Sequence, residues 1–340
     1  MVVKGTPLTK DPELKKLGKA YDIYFNAADL KKIGEIRRDI FFFRKPFLKR
    51  EEALQKHKKM IETLKPLYKN IVEARNTYAQ HQGHYRNFLE FSLENNGLPP
   101  QNLARALKLL DSLIARIHQA LPEPKNKGEF YSVLSTPDFI DELTDKRYSL
   151  PDYVIEKLEN RIPKLKSLLP RIKFEDVDRN KGGFNEAVYD PKTETATIRT
   201  WASKDLQNAI SMAHEVGHSV AYLGLAKRGL EPKDKPKYWH EQQAIRTELV
   251  FINSLPEKLR GAALGGILLQ FTEALFEIET YTNPNQDFDM VYAQAFNRCY
   301  KDVKQDKNPF YVLMETNISR PCSSVLQGII HAEELSRILK

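Results

Sequence analysis

The sequence predicts a mainly α-helical protein with one small β-hairpin, and three observations predict it. Apolar residues recur at three- and four-residue spacing through most of the 340 positions. Strand-forming residues flank a turn clearly in one place, residues 181–200. The segment Ser203–Gly224 has a helix start, an apolar stripe and a helix stop, and it contains His214-Glu215-Val216-Gly217-His218.

Helices are expected at about 11–25, 28–40, 50–80, 85–95 and 101–121. Turn chemistry at Glu123-Pro124-Lys125-Asn126-Lys127-Gly128 closes this series, and Pro151 opens a helix toward Leu169. Further helices are expected at 257–280, 288–302 and 310–338, with no internal repeat and no low-complexity tail. The expected division is an N-terminal helical layer, 1–165, packed on a second half, 166–340, as one compact unit.

Composition limits the function classes. Hydrophobic content of 41% and charged content of 29% describe a globular chain. The apolar run 262–271 is too short to span a bilayer and runs into Glu273, Glu277 and Glu279, so no membrane association is expected. The first residues lack a signal-length apolar core, and Cys299 and Cys322 fit no disulfide framework or metal spacing, which points to a cytoplasmic protein with buried thiols. A net charge of +8 and a pI near 9.1 raise the question of nucleic acid. Glu51, Glu52 and Glu62 interleave with the basic residues of 31–69 at helical spacing, so that stretch reads as a solvated helix face, and no nucleic-acid partner is expected.

The H-E-x-x-H segment carries the chemistry. On a helix, positions i and i+4 share a face, so His214 and His218 can present two imidazoles to one ion, with Glu215 beside them as a proton acceptor. Ser203 is the expected N-cap, Asp205 lies in the first turn, and Gly224 takes the left-handed C-terminal position. Leu206, Ile210, Ala213 and Val220 form a buried stripe. Two His and a Glu on a buried helix require partners, and a zinc ion is a sufficient one. Zinc also needs a third protein ligand. The stretch 238–253 reads as a helix with Glu241, Ile245, Glu248 and Ile252 on one face. Glu241 is assigned as the ligand and Glu248 as the carboxylate that holds a ligand His; the reverse assignment is the alternative. Gly217 between the ligands leaves room where a side chain would crowd metal or substrate.

The hairpin leads into this helix. Asp190-Pro191-Lys192 is its turn, and Thr195, Thr197, Ile198 and Thr200 form its second strand. A strand entering the metal helix offers an unpaired edge to which an extended peptide can add, with Gly182 and Gly183 allowing close approach. Gly183, Phe184 and Thr197 are therefore the candidate substrate-binding residues.

Gly182-Gly183-Phe184, the hairpin, Ala213–Ser219, and the pair Glu241 and Glu248 together resemble the gluzincin peptidases of the oligoendopeptidase F and thimet oligopeptidase family. Residues 240–248 are also similar to the related carboxypeptidase Taq family. Arg75-Asn76 with the residues around it, and Asn308–Val312, add likenesses to oligoendopeptidase F. The resemblance implies a neurolysin-like helical bowl with a deep channel, a zinc at its floor and hydrolysis of oligopeptides. Carried over by residue, His214, His218 and Glu241 are the zinc ligands and Glu215 the general base. The sequence departs from the family at 303–309, where no histidine stands, and at Leu313 and Glu315, where tyrosines are expected. Tyr311 is then the remaining candidate donor to the oxyanion. The chain is also shorter than typical members, so the channel roof is expected to be missing or supplied by a partner subunit, as in a homodimer. Two alternatives stand beside a zinc endopeptidase: a zinc carboxypeptidase of the Taq type, and a non-catalytic binding protein on the same fold.

Overall fold

The structure, a computed structural model, describes residues 12–27, 47–99, 101–120, 149–177, 185–200, 205–300, 318 and 320–338. Helices α1 (Pro12–Ala27), α2 (Phe47–His81), α3 (Phe88–Asn95), α4 (Gln101–Ala120) and α5 (Leu150–Glu159) come first. A single turn (Leu165–Leu168) precedes β1 (Ile172–Asp176), β2 (Glu186–Asp190) and β3 (Thr195–Thr200). Then come α6 (Leu206–Ala226), α7 (Lys237–Ser254), α8 (Glu257–Thr282), α9 (Phe288–Cys299) and α10 (Ser323–Ile338).

Local chemistry sets the starts. Asn87, Ser149 and Asp205 each accept a backbone N–H three residues on, satisfying donors that the first turn leaves open. Asp205 is thus the N-cap of α6, in place of Ser203, which lies outside the described residues. Helix α6 also runs past Gly224 to Ala226, and Gly229, with φ +69°, takes the left-handed position. The helix begun at Pro151 ends at Glu159, before Pro163, so it does not reach Leu169. Helix α10 begins at Ser323 behind Pro321 and Cys322, the latter at φ +59°.

The described residues fall into two compact units. One takes them from Met1–Ala104 and Leu268–Gly328, the other from Arg105–Ile267 and Ile329–Lys340. The chain changes unit within α4, within α8 and within α10.

In the first unit α1 and α3 pack on α2. The fully buried Arg75 donates to the Tyr21 and Tyr281 hydroxyls and, at 2.8 Å, to the Ile318 carbonyl. Asn76 donates to the Tyr281 carbonyl and accepts from the Phe88 N–H, each at 2.9 Å. The Arg-Asn pair therefore joins α2, α3 and α8. The buried Glu277 accepts from the N–H groups of Cys322 and Val325 at 2.5 and 3.4 Å, which caps the start of α10.

In the second unit β3 is the central strand, parallel to β1 and antiparallel to β2. Ala196, Ile198 and Thr200 are buried, and α6 packs on β2 and β3. Helix α7 packs along α6 at a glycine notch: a Cβ on Gly217 would stand 2.6 Å from Ala244 Cα and 2.9 Å from Thr247 Cβ. Gly217 thus makes room for the backbone of α7, not for a metal or substrate. Helix α8 is long and apolar enough to cross a membrane, but most of its apolar stretch is buried in protein, the state of a core helix.

Candidate metal centre

The centre is built from two helices and the edge of the sheet. The i, i+4 spacing on α6 brings the His214 and His218 rings to a centroid separation of 4.8 Å. Glu215 lies beside them; one ligand atom from each of the three residues falls within 4.8 Å of the others. The glycine notch lets α7 come close enough to deliver Glu241 and Glu248, two turns apart on one face. Glu241 Oε2 lies 3.4 Å from His214 Nε2, and Glu248 Oε2 lies 3.0 Å from His214 Nδ1. The two carboxylates therefore take opposite nitrogens of one ring.

The His214–Glu241 pair fits a zinc ion. Two ligand atoms about 2.0–2.1 Å from a tetrahedral zinc stand roughly 3.3–3.4 Å apart, and Glu241 Oε2 is 3.4 Å from His214 Nε2. That contact is an ion-pair distance without hydrogen-bond alignment, so Glu241 Oε2 stays buried with no hydrogen-bond partner, as does Nδ1 of His218. Orphaned buried polar atoms are costly, and a divalent cation is one group that would satisfy them.

The electrostatics agree with the geometry. Burial alone would depress the pKa of His214, but the Glu241 carboxylate beside Nε2 and the Glu248 carboxylate hydrogen-bonded at Nδ1 outweigh it and raise the pKa well above 6.5. Metal-free, an imidazolium between two carboxylates thus supplies the positive charge a cation would bring. Burial, reinforced by His214, holds His218 down at about 4, so it is neutral at pH 7 and in the ligand form. Burial would raise Glu241 and Glu248, yet the histidines hold both low. Glu215 differs: burial lifts it to about 7, against the opposing pull of His214 and a hydrogen bond from the Ala187 N–H. A carboxyl that titrates near neutrality can both take and return a proton.

The Ala187 N–H shows which sheet edge faces the centre. It belongs to β2, whose other side pairs with β3, and among the described residues β2 has no second partner strand. The expected open edge on β3 is therefore closed. Thr197 is paired on both sides, with Lys173 and Val188, and it alternates with the buried Ala196 and Ile198, so its side chain is on the sheet face away from α6. Gly183, Phe184 and Tyr311, the other expected substrate and oxyanion residues, lie outside the described residues.

Two neighbours were not foreseen. Tyr222, one turn past His218, stacks its ring on that imidazole at 5.8 Å and 16°. Burial and the Glu215 and Glu241 carboxylates push its hydroxyl up to about 12, so it is a donor at neutral pH. The 214, 218, 222 spacing is the signal that could have found it. The second is His331 on α10, whose Nε2 lies 3.0 Å from Glu248 Oε1. Its position far along the sequence gave no such signal.

No protein-family model and no curated protein matches the sequence. Solved structures do match, over 97% of the chain. They include Pz peptidase A with an inhibitor, at 14% identity and a TM-score of 0.53. A protein assigned as an oligoendopeptidase F from Bacillus anthracis str. Ames matches at 13% and 0.53. One assigned as a peptidase from Chlamydophila abortus matches at 14% and 0.62. The fold is of the oligoendopeptidase F type. This chain spans 65–66% of those three chains, just under two-thirds of their length. On this mainly helical fold with its three-stranded sheet, the candidate centre sits where α6, α7 and β2 meet.

Proposed function

We propose that this chain is a zinc-dependent peptidase that hydrolyses oligopeptides with Glu215 as general base. The observation that carries the reading is the pairing of His214 Nε2 with Glu241 Oε2 at zinc-ligand separation beside orphaned buried polar atoms. His214, His218 and Glu241 would hold the ion, and Glu248 would fix the His214 ring. When bound, zinc supplies Lewis acidity toward the scissile carbonyl and makes a water acidic enough to react near pH 7.

The chain's own groups do the rest. An extended peptide adds to the edge of β2 that has no partner strand among the described residues, at the level of Tyr189, through main-chain hydrogen bonds that make little demand on side-chain identity. Glu215 takes a proton from the attacking water and returns it to the leaving amine, so no covalent intermediate forms. The Tyr222 hydroxyl, protonated at neutral pH and set against His218, donates toward the developing oxyanion. Fold likeness to peptidases, including one solved with an inhibitor, supports the same reading.

Elemental analysis combined with a quenched-fluorescence peptide library, on wild type and Glu215→Gln, tests it. The expected result is about one zinc per chain in both proteins, with turnover lower by roughly 10²–10⁴-fold in the variant. Turnover that is equal in the two, or no bound metal, would remove the reading. Amidating the C-terminus of a cleaved peptide separates the modes: an endopeptidase keeps its activity and a Taq-type carboxypeptidase loses it.

A further inference from the structure

Residues 329–338 of α10 belong to the same compact unit as α6 and α7. They include His331, 1% exposed, and Glu334, 3% exposed. Buried polar groups of this kind need partners, and here the partners lie on α7. His331 Nε2 is 3.0 Å from Glu248 Oε1, while the other oxygen of the same carboxylate is 3.0 Å from His214 Nδ1. One buried carboxylate thus bridges two imidazoles from two different helices. Toward the start of α7, Tyr238 donates to Glu333 at 2.5 Å, Gln242 donates to Glu334 at 2.9 Å, and Arg246 donates to Glu334 at 2.8 Å. The stripe 238, 242, 246 faces α10, while Glu241 and Glu248 reach His214.

A carboxylate bonded to a single imidazole can pivot about that bond and let the ring tilt. A second imidazole on its other oxygen fixes the carboxylate plane, and with it the ring plane and tautomer of His214: Nδ1–H donated, Nε2 left as a lone pair. We propose that His331 is a positioning residue for the metal centre, acting through Glu248 to aim Nε2 of His214. The inference rests on the zinc reading of the site and adds a helix to it.

The test uses the full chain and two readouts other than turnover: zinc affinity by competition with a chromogenic chelator, and the visible spectrum of the cobalt-loaded protein. His331→Phe removes the donor and keeps a ring in the pocket. It is expected to bind zinc about 10–100-fold more weakly and to shift the cobalt spectrum. His331→Gln, whose amide can still donate to Glu248, is expected to recover part of the affinity with a smaller spectral shift. Glu334→Gln disturbs the same helix pair away from Glu248 and is expected to lower stability while leaving affinity and spectrum unchanged. Wild-type affinity and spectrum in a folded His331→Phe protein would overturn the inference. If that variant does not fold, the same result in a folded His331→Leu protein, which also lacks a donor, does so. A wild type that takes up neither zinc nor cobalt overturns the zinc reading together with this inference, so the two failures are distinguishable.

Discussion

Among the described residues each unit contains a buried polar cluster, and the two close differently. In the first unit Arg75, Asn76 and Glu277 spend their hydrogen bonds on tyrosine hydroxyls and on backbone groups: the carbonyls of Tyr281 and Ile318 and the N–H groups of Phe88, Cys322 and Val325. In the second, His214, Glu241, Glu248 and His331 bond mainly to one another and leave buried atoms without partners at His218 and Glu241. A cluster that ends on backbone groups serves the fold, because those groups need partners in any case. A cluster that ends on orphaned ligand atoms carries a cost that a bound group would remove.

The comparison breaks most visibly at Arg75. Arg75→Met leaves the Tyr281 hydroxyl, the Ile318 carbonyl and the nearby Glu277 without a buried cation. Leaving buried acceptors without their donor costs about 1–3 kcal/mol each, a large part of the roughly 5–15 kcal/mol that holds a typical domain folded. Urea unfolding should show a much lower midpoint, while zinc affinity of the folded fraction stays at the wild-type value. A stable Arg75→Met protein with weakened zinc binding would show that the two clusters are not separate in role.

Next is the notch that separates a close helix pair from an ordinary one. Gly217→Ala gains up to about 1 kcal/mol of helix propensity, but its Cβ lands 2.6 Å from Ala244 Cα, backbone that cannot rotate away. Overpacking of this sort costs about 1–3 kcal/mol. The larger consequence is geometric, since pushing α7 outward carries Glu241 away from His214. Zinc affinity should fall further than stability does, as read by chelator competition against urea unfolding. Equal losses in the two measurements would mean that the notch is packing alone.

These elements differ in how far the sequence revealed them. His214, His218, Glu241 and Glu248 were legible because helical periodicity turns spacing directly into a shared face. The hairpin was legible from Asp190-Pro191-Lys192 and its threonines. Strand β1 was not: Ile172-Lys173-Phe174-Glu175-Asp176 alternates for only five residues, and parallel pairing to β3 across an intervening strand leaves no local trace. That omission made β3 look like an edge and misplaced Thr197. Arg75-Asn76 stood out in a motif, yet its hydrogen-bond partners Tyr281 and Ile318 lie more than 200 residues away. His331 was invisible for the same reason, because only tertiary structure brings α10 to Glu248.

Glu215 sharpens the contrast in the opposite sense, since removing its charge should stabilise the fold. Burial lifts its carboxyl from 4.5 to about 7, so between these values the folded chain binds more protons than the unfolded one. Stability therefore falls as pH rises through that window, and the loss is complete above about 7. Gln carries no such penalty. In chelator-treated protein, Glu215→Gln should match the wild type near pH 4.5 and exceed it by about 1–3 kcal/mol at pH 8. Urea unfolding at the two pH values measures the difference, and a variant no more stable at pH 8 would contradict the burial assigned to this carboxyl.

The smallest effect concerns a single proton. In the metal-free protein His214 holds an extra proton between the Glu241 and Glu248 carboxylates, while His218, held at about 4, is neutral at pH 7. Zinc bound at Nε2 of His214 must displace that proton, so binding at pH 7 to 8 should release about one per chain, and affinity should weaken as pH falls. Titration calorimetry in two buffers of different ionisation enthalpy reads the number directly. Release of no proton would mean that His214 is already neutral, with its one N–H given to Glu248. A raised His contributes stability below its unfolded pKa and loses it as pH climbs through the folded one. The metal-free protein should therefore soften between pH 6.5 and the raised value, and zinc should abolish that softening, because the ion replaces the proton as the positive charge between the two carboxylates.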